Sequence, residues 1–230
     1  KAAGIPFVKG VRTLEAVGGH DGGIEQVRYV VKGKSKSIDT EHLFLHQGVV
    51  PNVNLAMASG CEHRWCRRQF CWQPVLDDWG QSSQHHVSIA GDGGSIGGAV
   101  AAALRGRLAV QRIAYRLGRQ SAAECETNSL KRRKSLRREL AFRPFVDALY
   151  RPADGVRLPQ RDDVIVCRCE EVTLGEIRTV ARQGCMGPNQ LKSFTRCGMG
   201  LCQGRQCGLT VSELMAELTQ QSVEVSGYYR

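Results

Sequence analysis

The sequence predicts a mixed α/β fold in which strands come first and helices dominate the second half. Apolar residues recur at every second position between Ile24 and Lys32, as in a half-buried strand. A glycine-rich stretch from Gly91 to Gly98 leads directly into an alanine-rich segment whose apolar residues have helical spacing. Closer to the C-terminal end, closely spaced cysteines lie beside helix start and stop signals. We therefore expect an α/β region followed by a small helical domain that holds a metal centre.

The first part of the chain is predicted to consist of strands and turns. Residues 1–58 contain the alternating strand at Ile24–Lys32, a turn at Gly33–Ser37 and a short apolar run at His42–His46. This last run is predicted to be a buried strand, and it precedes the turn-like string Gly48–Asn52.

Length and composition narrow the class of protein. The 230 residues permit one large domain or two small ones. The ten cysteines lie below the density of a disulfide-stapled secreted scaffold. No charged-then-apolar leader opens the sequence and no apolar run reaches the length of a membrane span, so we expect a cytoplasmic protein. Because the chain begins at Lys1 inside an apparent structural pattern, we expect it to be the C-terminal part of a longer polypeptide.

Much of the net charge of +10 lies in one stretch, between Glu126 and Arg151. This stretch has no aromatic interleaving suited to base stacking, and no nucleic-acid-binding module surrounds it. We therefore predict no nucleic-acid partner and interpret the stretch as a solvated helix face or a docking surface for an acidic partner. Its nearly adjacent basic residues are Lys131, Arg132, Arg133, Lys134, Arg137 and Arg138.

The composition also suggests domain boundaries. We predict an α/β region at residues 1–118, a basic helical linker at 119–163, a metal-binding domain at 164–222 and a tail at 223–230. Within the linker, a helix is expected from about Glu126 to Tyr150. In the α/β region, Cys61, Cys66 and Cys71 do not form a CxxC pair, and we expect them to be ordinary thiols.

Four cysteines near the C-terminal end suit a metal centre better than disulfides. Cys167 and Cys169 are separated by one residue, so an extended backbone would place their thiols on the same side. Cys202 and Cys207 follow after a segment long enough for two short helices. An iron–sulfur cluster and a structural zinc ion are the two serious interpretations of four thiolates. Because Cys197, Cys202 and Cys207 are equally spaced, spacing alone cannot choose two of these three.

The predicted local structure places these thiols at helix starts. Thr173 and Glu176 form a capping box that begins a helix ending at Gly184, and Pro188 begins a second short helix. Cys207 then lies near the start of a final helix. Helix N-termini and loop amides favour the thiolate form and donate hydrogen bonds to cluster sulfurs.

Two segments resemble a known family of small domains. Cys167–Thr173 and Thr195–Cys207, with the string Cys-Gly-Met-Gly-Leu-Cys-Gln-Gly-Arg-Gln-Cys, resemble the [2Fe–2S] domain related to bacterioferritin-associated ferredoxin. The copies fused to flavoprotein subunits of bacterial amine and opine dehydrogenases and cyanide synthases are the most similar, and they too keep four residues between the last two ligands. The resemblance favours iron over zinc and excludes Cys197 and Cys185 as ligands. The ligands it implies are Cys167, Cys169, Cys202 and Cys207.

The glycine-rich segment resembles a second family. A short strand at Val87–Ala90, the loop and the helix start are similar to the second flavin fingerprint of flavoproteins with two dinucleotide-binding domains, such as glutathione reductase. The resemblance implies that Asp92 bonds the ribityl chain and that the amides of Ile96 and Gly97 face the flavin ring. Gly91 and Gly93 would let the backbone approach FAD. The G-x-G-x-x-G motif for the ADP half of FAD is absent from this sequence, so the site is incomplete here.

Together these resemblances imply the C-terminal portion of a two-dinucleotide-domain flavoprotein joined to a small all-α [2Fe–2S] domain. They imply an electron-transferring component of a heteromeric dehydrogenase for an amino acid, opine or related amine. Its partners would be an amine-oxidising flavoprotein subunit, together with a further small iron–sulfur subunit. Two alternatives are a self-contained dehydrogenase of the glycerol-3-phosphate type and a non-enzymatic ferredoxin-like or zinc-binding module. No catalytic residue is assigned.

Overall fold

A computed structural model describes residues 4–19, 22–46, 48–152 and 154–229. The chain divides into two compact units, one formed by residues 1–48 with 152–160 and the other by residues 49–151 with 161–230. The four-part domain division drawn from the sequence stays a prediction. Among the described helices, none is both long and apolar enough to cross a membrane.

The first unit is built on an antiparallel sheet of three strands, in the order β1 (Val11–Gly18), β2 (Ile24–Val31) and β3 (Lys34–Asp39). Strand β2 confirms the alternating pattern, and Val27 is its buried residue. A four-residue helix, α5 (Asp154–Arg157), contacts β1.

Two predictions in this unit are wrong. Residues 34–37 belong to β3 rather than to a turn, since β3 pairs with β2 from Val31 opposite Lys34 onwards. The apolar run His42–His46 forms no strand, and the side chain of Phe44 is 91% exposed. No described strand pairs with this run, and apolar composition without a ladder partner does not make a strand.

The second unit begins with the short helix α1 (Asn54–Ala58) and the hairpin formed by β4 (His63–Cys66) and β5 (Cys71–Pro74). The strand predicted at Val87–Ala90 is reduced to one isolated bridge, between Gln81 and Ser88. Strand pairing needs a neighbour along its length, and the described residues offer this segment only that bridge.

Three helices follow the glycine-rich loop. Helix α2 (Ala99–Arg116) confirms the alanine-rich helix, and it packs on α3 (Ala122–Ala141) with Leu108 and Cys125 in the shared core. The helix predicted from Glu126 to Tyr150 is interrupted, because α4 (Arg143–Leu149) starts separately with a proline in its first turn. A proline lacks the amide that would continue the preceding helix, which explains the break.

The C-terminal part is helical apart from one short pair of strands, β6 (Ile165–Cys167) and β7 (Val172–Thr173). The all-α expectation is therefore corrected by this two-stranded ladder. The predicted helix signals are confirmed by the observed helices. These are α6 (Leu174–Arg182), α7 (Pro188–Thr195) and α8 (Gly208–Leu218). A further short helix, α9 (Val223–Ser226), lies in the segment predicted as a tail.

Candidate functional site

Five thiols of the C-terminal part lie around one loop. Cys167 ends β6, Cys169 lies in the turn after it, and Cys197 follows α7. Cys202 lies in the loop between α7 and α8, and Cys207 is the N-cap residue of α8. The fold thus brings the two cysteine-bearing segments together, as the sequence predicts.

Within this set, three thiols form a buried group. The sulfur atoms of Cys167, Cys197 and Cys207 all lie within 4.8 Å of one another. Each of these side chains is at most 3% exposed. The amide of Gly198 donates a hydrogen bond to the Cys167 sulfur at 3.5 Å. A group of closely spaced, buried sulfur atoms with an amide donor is an arrangement that suits a sulfur-ligated metal centre.

The other two thiols form an adjoining pair nearer the surface. Cys169 is exposed and Cys202 is half-buried, and their thiols are hydrogen-bonding neighbours. The prediction that Cys167 and Cys169 share one side of a strand is wrong, because β6 ends at Cys167 and the chain turns there. A turn separates the two side chains more than an extended strand would.

Backbone amides favour a thiolate at Cys202. Its pKa is lowered by the amide of Gln206, with further help from the Cys169 thiol and from the amides of Gly204 and Arg205. These amides belong to the tight loop that precedes α8, so they point into the site as a group. Such loop amides stabilise negative charge on sulfur in free thiolates and in metal-bound ones alike.

Two other thiols of the site, those of Cys169 and Cys207, keep their protons more firmly. The amide of Cys202 lowers the pKa of Cys169, but the neighbouring Cys202 thiol and burial outweigh this effect and the net shift is upward. The pKa of Cys207 is raised strongly, first by its hydrogen bond with Cys197 and then by burial. Thiols this close cannot all ionise unless a cation compensates their charge, and a metal centre supplies that compensation.

A glycine lets the two segments approach closely. A Cβ atom on Gly200 would overlap the Cβ atom of Cys169 and would come within 3.1 Å of the Glu170 carboxylate. Gly198, with φ of +88°, adopts a backbone conformation that L side chains rarely take. The two glycines of the Gly-Met-Gly sequence are therefore required for different reasons. Gly200 leaves no room for a side chain between the segments, and Gly198 needs glycine for its backbone conformation.

The other cysteines of the chain lie outside this group. Cys185 is buried and its thiol contacts the carbonyl oxygen of Gly187 at 3.6 Å, as expected for a structural residue. Cys61 contacts the Ser82 hydroxyl, and burial raises the pKa of Cys71 to about 12. Among the described residues, the Cys167 group is the one set of three or more side chains arranged to hold a metal ion.

The glycine-rich loop forms a compact turn ahead of α2. Gly91–Gly93 make a single turn of 3-10 helix, and the carboxylate of Asp92 accepts a hydrogen bond from the Gly97 amide at 3.4 Å. The Ile96 side chain is 8% exposed, and its carbonyl oxygen accepts a hydrogen bond from Gln69 at 3.2 Å. The predicted flavin-contacting residues are thus held together by bonds within the loop and to the hairpin.

Besides Gln69, a second side chain that the sequence did not suggest supports this loop. Arg105 on α2 donates to the carbonyl oxygens of Ser95, at 2.5 Å, and Gly91, at 3.5 Å. Burial lowers the pKa of Arg105, and the nearby carboxylate of Asp92 opposes that shift. An arginine inside an alanine-rich helix is a signal that could have pointed to this role.

Gln69 is anchored by a buried carboxylate. Its amide also donates to both oxygens of Asp147, at 3.1 and 3.2 Å, and the Asp147 side chain is 2% exposed. Arg143 pairs with the same carboxylate at 2.7 Å. Gln69 and Asp147 are 78 positions apart in sequence, so no local pattern could have revealed their connection.

Comparison with known proteins agrees with this geometry. Residues 165–217 match the family described as "BFD-like [2Fe-2S] binding domain". The chain is 42% identical over 223 residues to one of the subunits of the opine oxidase of Rhizobium meliloti, covering 97% of this chain and 42% of that protein. It is 35% identical over 191 residues to hydrogen cyanide synthase subunit HcnB of Pseudomonas protegens, covering 81% of this chain and 39% of that protein.

A solved structure shares the fold. The crystal structure of L-proline dehydrogenase from P. horikoshii superposes with a TM-score of 0.65 at 22% identity, covering 94% of this chain and 40% of that one. The chain therefore spans about two-fifths of the length of the proteins it matches. The family match decides between the two metals that the thiols alone left open. Residues 165–217 match the BFD-like [2Fe–2S] binding domain, in a chain that is similar over nearly all of its length to one of the subunits of opine oxidase.

Proposed function

We propose that this chain belongs to the electron-transferring flavoprotein and iron–sulfur subunit of a heteromeric dehydrogenase that oxidises an amino acid, an opine or a related amine. The observation that carries the proposal is the set of five thiols around one loop in a [2Fe–2S] binding domain. Similarity to subunits of an opine oxidase and a hydrogen cyanide synthase supports the dehydrogenase context.

The proposed ligands are Cys167, Cys169, Cys202 and Cys207. A [2Fe–2S] cluster needs two protein ligands at each iron, and the thiols lie in two adjoining groups. Cys167 and Cys207 would hold the cluster from the buried group, and Cys169 and Cys202 from the adjoining pair. Cys197 would then be a buried thiol beside the cluster, close to Cys167 and Cys207 but not bound to iron.

The residues around the site have a chemical role of their own. A bound [2Fe–2S] cluster supplies one-electron chemistry, which a hydride acceptor cannot. The amides of Gly198, Gln206 and Gly204 point at cysteine sulfurs, where they stabilise negative charge and so favour the reduced state. Burial of Cys167 and Cys207 excludes water from one side of the site, while the exposed Cys169 leaves a short path to the surface.

The glycine-rich loop is proposed to contact FAD. Asp92 would bond the ribityl chain, and the amides of Ile96 and Gly97 would face the flavin ring. Gly91 and Gly93 would allow close backbone approach, since a side chain at either position would stand between backbone and ligand. Gln69 and Arg105 support this assignment, because they fix the loop carbonyls and leave the start of α2 in a defined place.

The proposed partners are an amine-oxidising flavoprotein subunit, together with a further small iron–sulfur subunit. No substrate-contacting residue is assigned to this chain, so the oxidation of the amine is proposed to occur on the partner. The exposed basic residues of α3 are proposed to steer the assembly. Two of the basic residues are engaged within the chain instead. Arg133 pairs with Asp78 at 2.9 Å and stacks on Trp79, and Arg132 bonds Gln111.

The test begins with anaerobic purification of the protein in a form extended to carry an ADP-binding motif. It is purified once alone and once with a co-expressed partner, and its iron, sulfide and activity are measured. Iron and sulfide should each be present at about two per chain, with a one-electron EPR signal after reduction. Amine-dependent dye reduction should require the partner. Stoichiometric zinc without iron would overturn the cluster assignment, and full amine oxidation by the isolated protein would overturn its role in electron transfer.

A further inference from the structure

The C-terminal tail is fixed to the iron–sulfur domain by specific contacts. The Asn189 side chain, in the first turn of α7, donates to the Tyr228 carbonyl oxygen at 2.8 Å. A Cβ atom on Gly187 would lie 2.6 Å from the Ser226 carbonyl oxygen, so the tail runs directly against the start of α7. These contacts set the direction in which the chain leaves α9.

Aromatic contacts of Tyr228 hold the tail against the β4–β5 hairpin. The ring of Tyr228 packs edge-on against Trp72, with 5.0 Å between ring centres, and against His63 at 5.7 Å. Both residues belong to the β4–β5 hairpin. Aromatic contacts on this side, with the hydrogen bond on the other, leave the following residue little freedom.

That following residue, Tyr229, lies in the cysteine-bearing loop. A Cβ atom on Gly198 would be 2.6 Å from its Cζ atom, and a Cβ atom on Gly204 would be 2.7 Å from its Cδ2 atom. A Cβ atom on Gly208, the first residue of α8, would lie 3.3 Å from the same Cδ2 atom. The ring therefore fills the space that side chains at these three positions would otherwise take.

The hydroxyl group of Tyr229 is buried and has no hydrogen-bond partner of ordinary geometry in the described part of the chain. Burial raises its pKa, and the Cys197 thiol, which lies near enough to the hydroxyl group for a weak hydrogen-bonding contact, raises it further. The thiols of Cys207 and Cys167 act in the same direction. Buried polar groups are almost always partnered, so this hydroxyl group calls for an explanation. The groups around it are sulfur atoms, which become good acceptors when they are thiolate or sulfide.

We infer that the Tyr229 hydroxyl group donates a hydrogen bond to a sulfur atom of the [2Fe–2S] site, and that the tail residues 226–229 cover that face of the site. The inference depends on the proposed cluster, and it adds a residue that lies outside the matched domain, residues 165–217. A hydrogen bond to cluster sulfur stabilises the additional negative charge of the reduced state, so Tyr229 raises the reduction potential. The hydroxyl group then gains an acceptor at ordinary hydrogen-bond geometry, which it lacks among the described residues.

The decisive experiment compares Tyr229→Phe with Tyr228→Phe in the cluster-loaded protein. Tyr229→Phe removes only the O–H group. We expect the ratio of oxidised to reduced cluster to rise about tenfold, which corresponds to a reduction potential about 59 mV lower for a one-electron centre. Tyr228→Phe keeps the ring contacts with Trp72 and should leave the potential unchanged. Pulsed EPR of the reduced protein should show an exchangeable proton near the cluster that Tyr229→Phe lacks.

A second variant tests the covering role of the tail. Tyr229→Ala also removes the ring, and it should release iron to a chelator faster than Tyr229→Phe does. An unchanged potential in Tyr229→Phe, or the same exchangeable proton in that variant and the wild type, would overturn the hydrogen bond. Equal iron release from Tyr229→Ala and the wild type would overturn the covering role. Failure of the proposed function can be told apart from failure of this inference. In the first case the wild-type protein itself would contain no iron or sulfide.

Discussion

Glu170 and Arg196 form an ion pair, with 2.9 Å between the carboxylate and the guanidinium group, that joins the two cysteine-bearing segments. Glu170 follows Cys169 directly, and Arg196 precedes Cys197. Arg196 also has a left-handed backbone, with φ of +61°, and this ends α7. An ion pair as exposed as this one contributes little to stability, so its contribution is to orient the two segments.

The first prediction concerns the choice among the equally spaced thiols. Cys202→Ser should lose or grossly alter the visible absorption of the cluster, because an alcohol is a poor replacement for a thiolate ligand. Cys197→Ser should retain it, although Cys197 lies within 4.8 Å of Cys167 and Cys207. Visible absorption and iron content measure the outcome.

The matched control for this series is Cys185→Ser, since Cys185 is equally buried but lies outside the site. If Cys197→Ser bleached the protein while Cys207→Ser did not, the proposed ligand set would be replaced by one that includes Cys197.

The second prediction concerns the close approach at Gly200. Gly200→Ala should reduce the iron content severely, because the new methyl group would overlap the Cys169 side chain. Overpacking of this kind costs about 1–3 kcal/mol even where the surroundings can adjust. The free energy of unfolding and the iron content are both measured.

Gly106→Ala on α2 is the matched control, because a Cβ atom there meets nothing within 4 Å. Alanine in a helix should instead stabilise the protein by about 0.5–1 kcal/mol. Full iron content in Gly200→Ala would contradict the proposed geometry around Cys169.

The third prediction concerns the glycine-rich loop, Gly91–Gly98, and its proposed contact with flavin. Asp92→Ala should weaken flavin retention by about ten- to a hundredfold, as expected for a lost bond worth about 1.5–3 kcal/mol. The variant also removes the acceptor of the Gly97 amide, so Asp92→Asn is included to separate charge from hydrogen bonding. Flavin is quantified after gel filtration of a protein that contains any upstream ADP-binding motif.

Iron content serves as the internal control, because the cysteine site does not include the loop and should keep its cluster in both variants. Flavin content equal to that of the wild type in Asp92→Ala would reduce Gly91–Gly98 to a structural turn.

The fourth prediction concerns assembly. Reversing the exposed residues Lys131, Lys134 and Arg138 to Glu should slow association with the partner protein more than it changes cluster content, and the effect should shrink as salt is added. Arg132 and Arg133 are left in place, since both bond other residues of the chain. Association rates at several ionic strengths provide the measurement.

A control with the charge reversed elsewhere uses Lys34 and Lys36, which are exposed on β3. If this control slowed association as much as the α3 variant, net charge rather than the α3 surface would be responsible.

The sequence by itself determined the local features of this protein. The capping box of Thr173 and Glu176, the start of α7 at Pro188 and the extent of α2 depend on residues within a few positions of one another. The alternation in β2 was predictable for the same reason, since spacing fixes which side chains share a face. The gathering of the cysteine-bearing segments around one loop was implied by the family resemblance and not by spacing, because the two segments are about 30 residues apart.

Only the tertiary structure decided which groups surround the two sites. Gln69 reaches Ile96 across 27 positions, and Tyr229 reaches Gly198 from the end of the chain. The apolar run at His42–His46 looked like a strand, yet it finds no strand to pair with among the described residues. Strand pairing, burial and long-range hydrogen bonds depend on partners that the folded chain brings together, and no local pattern contains that information.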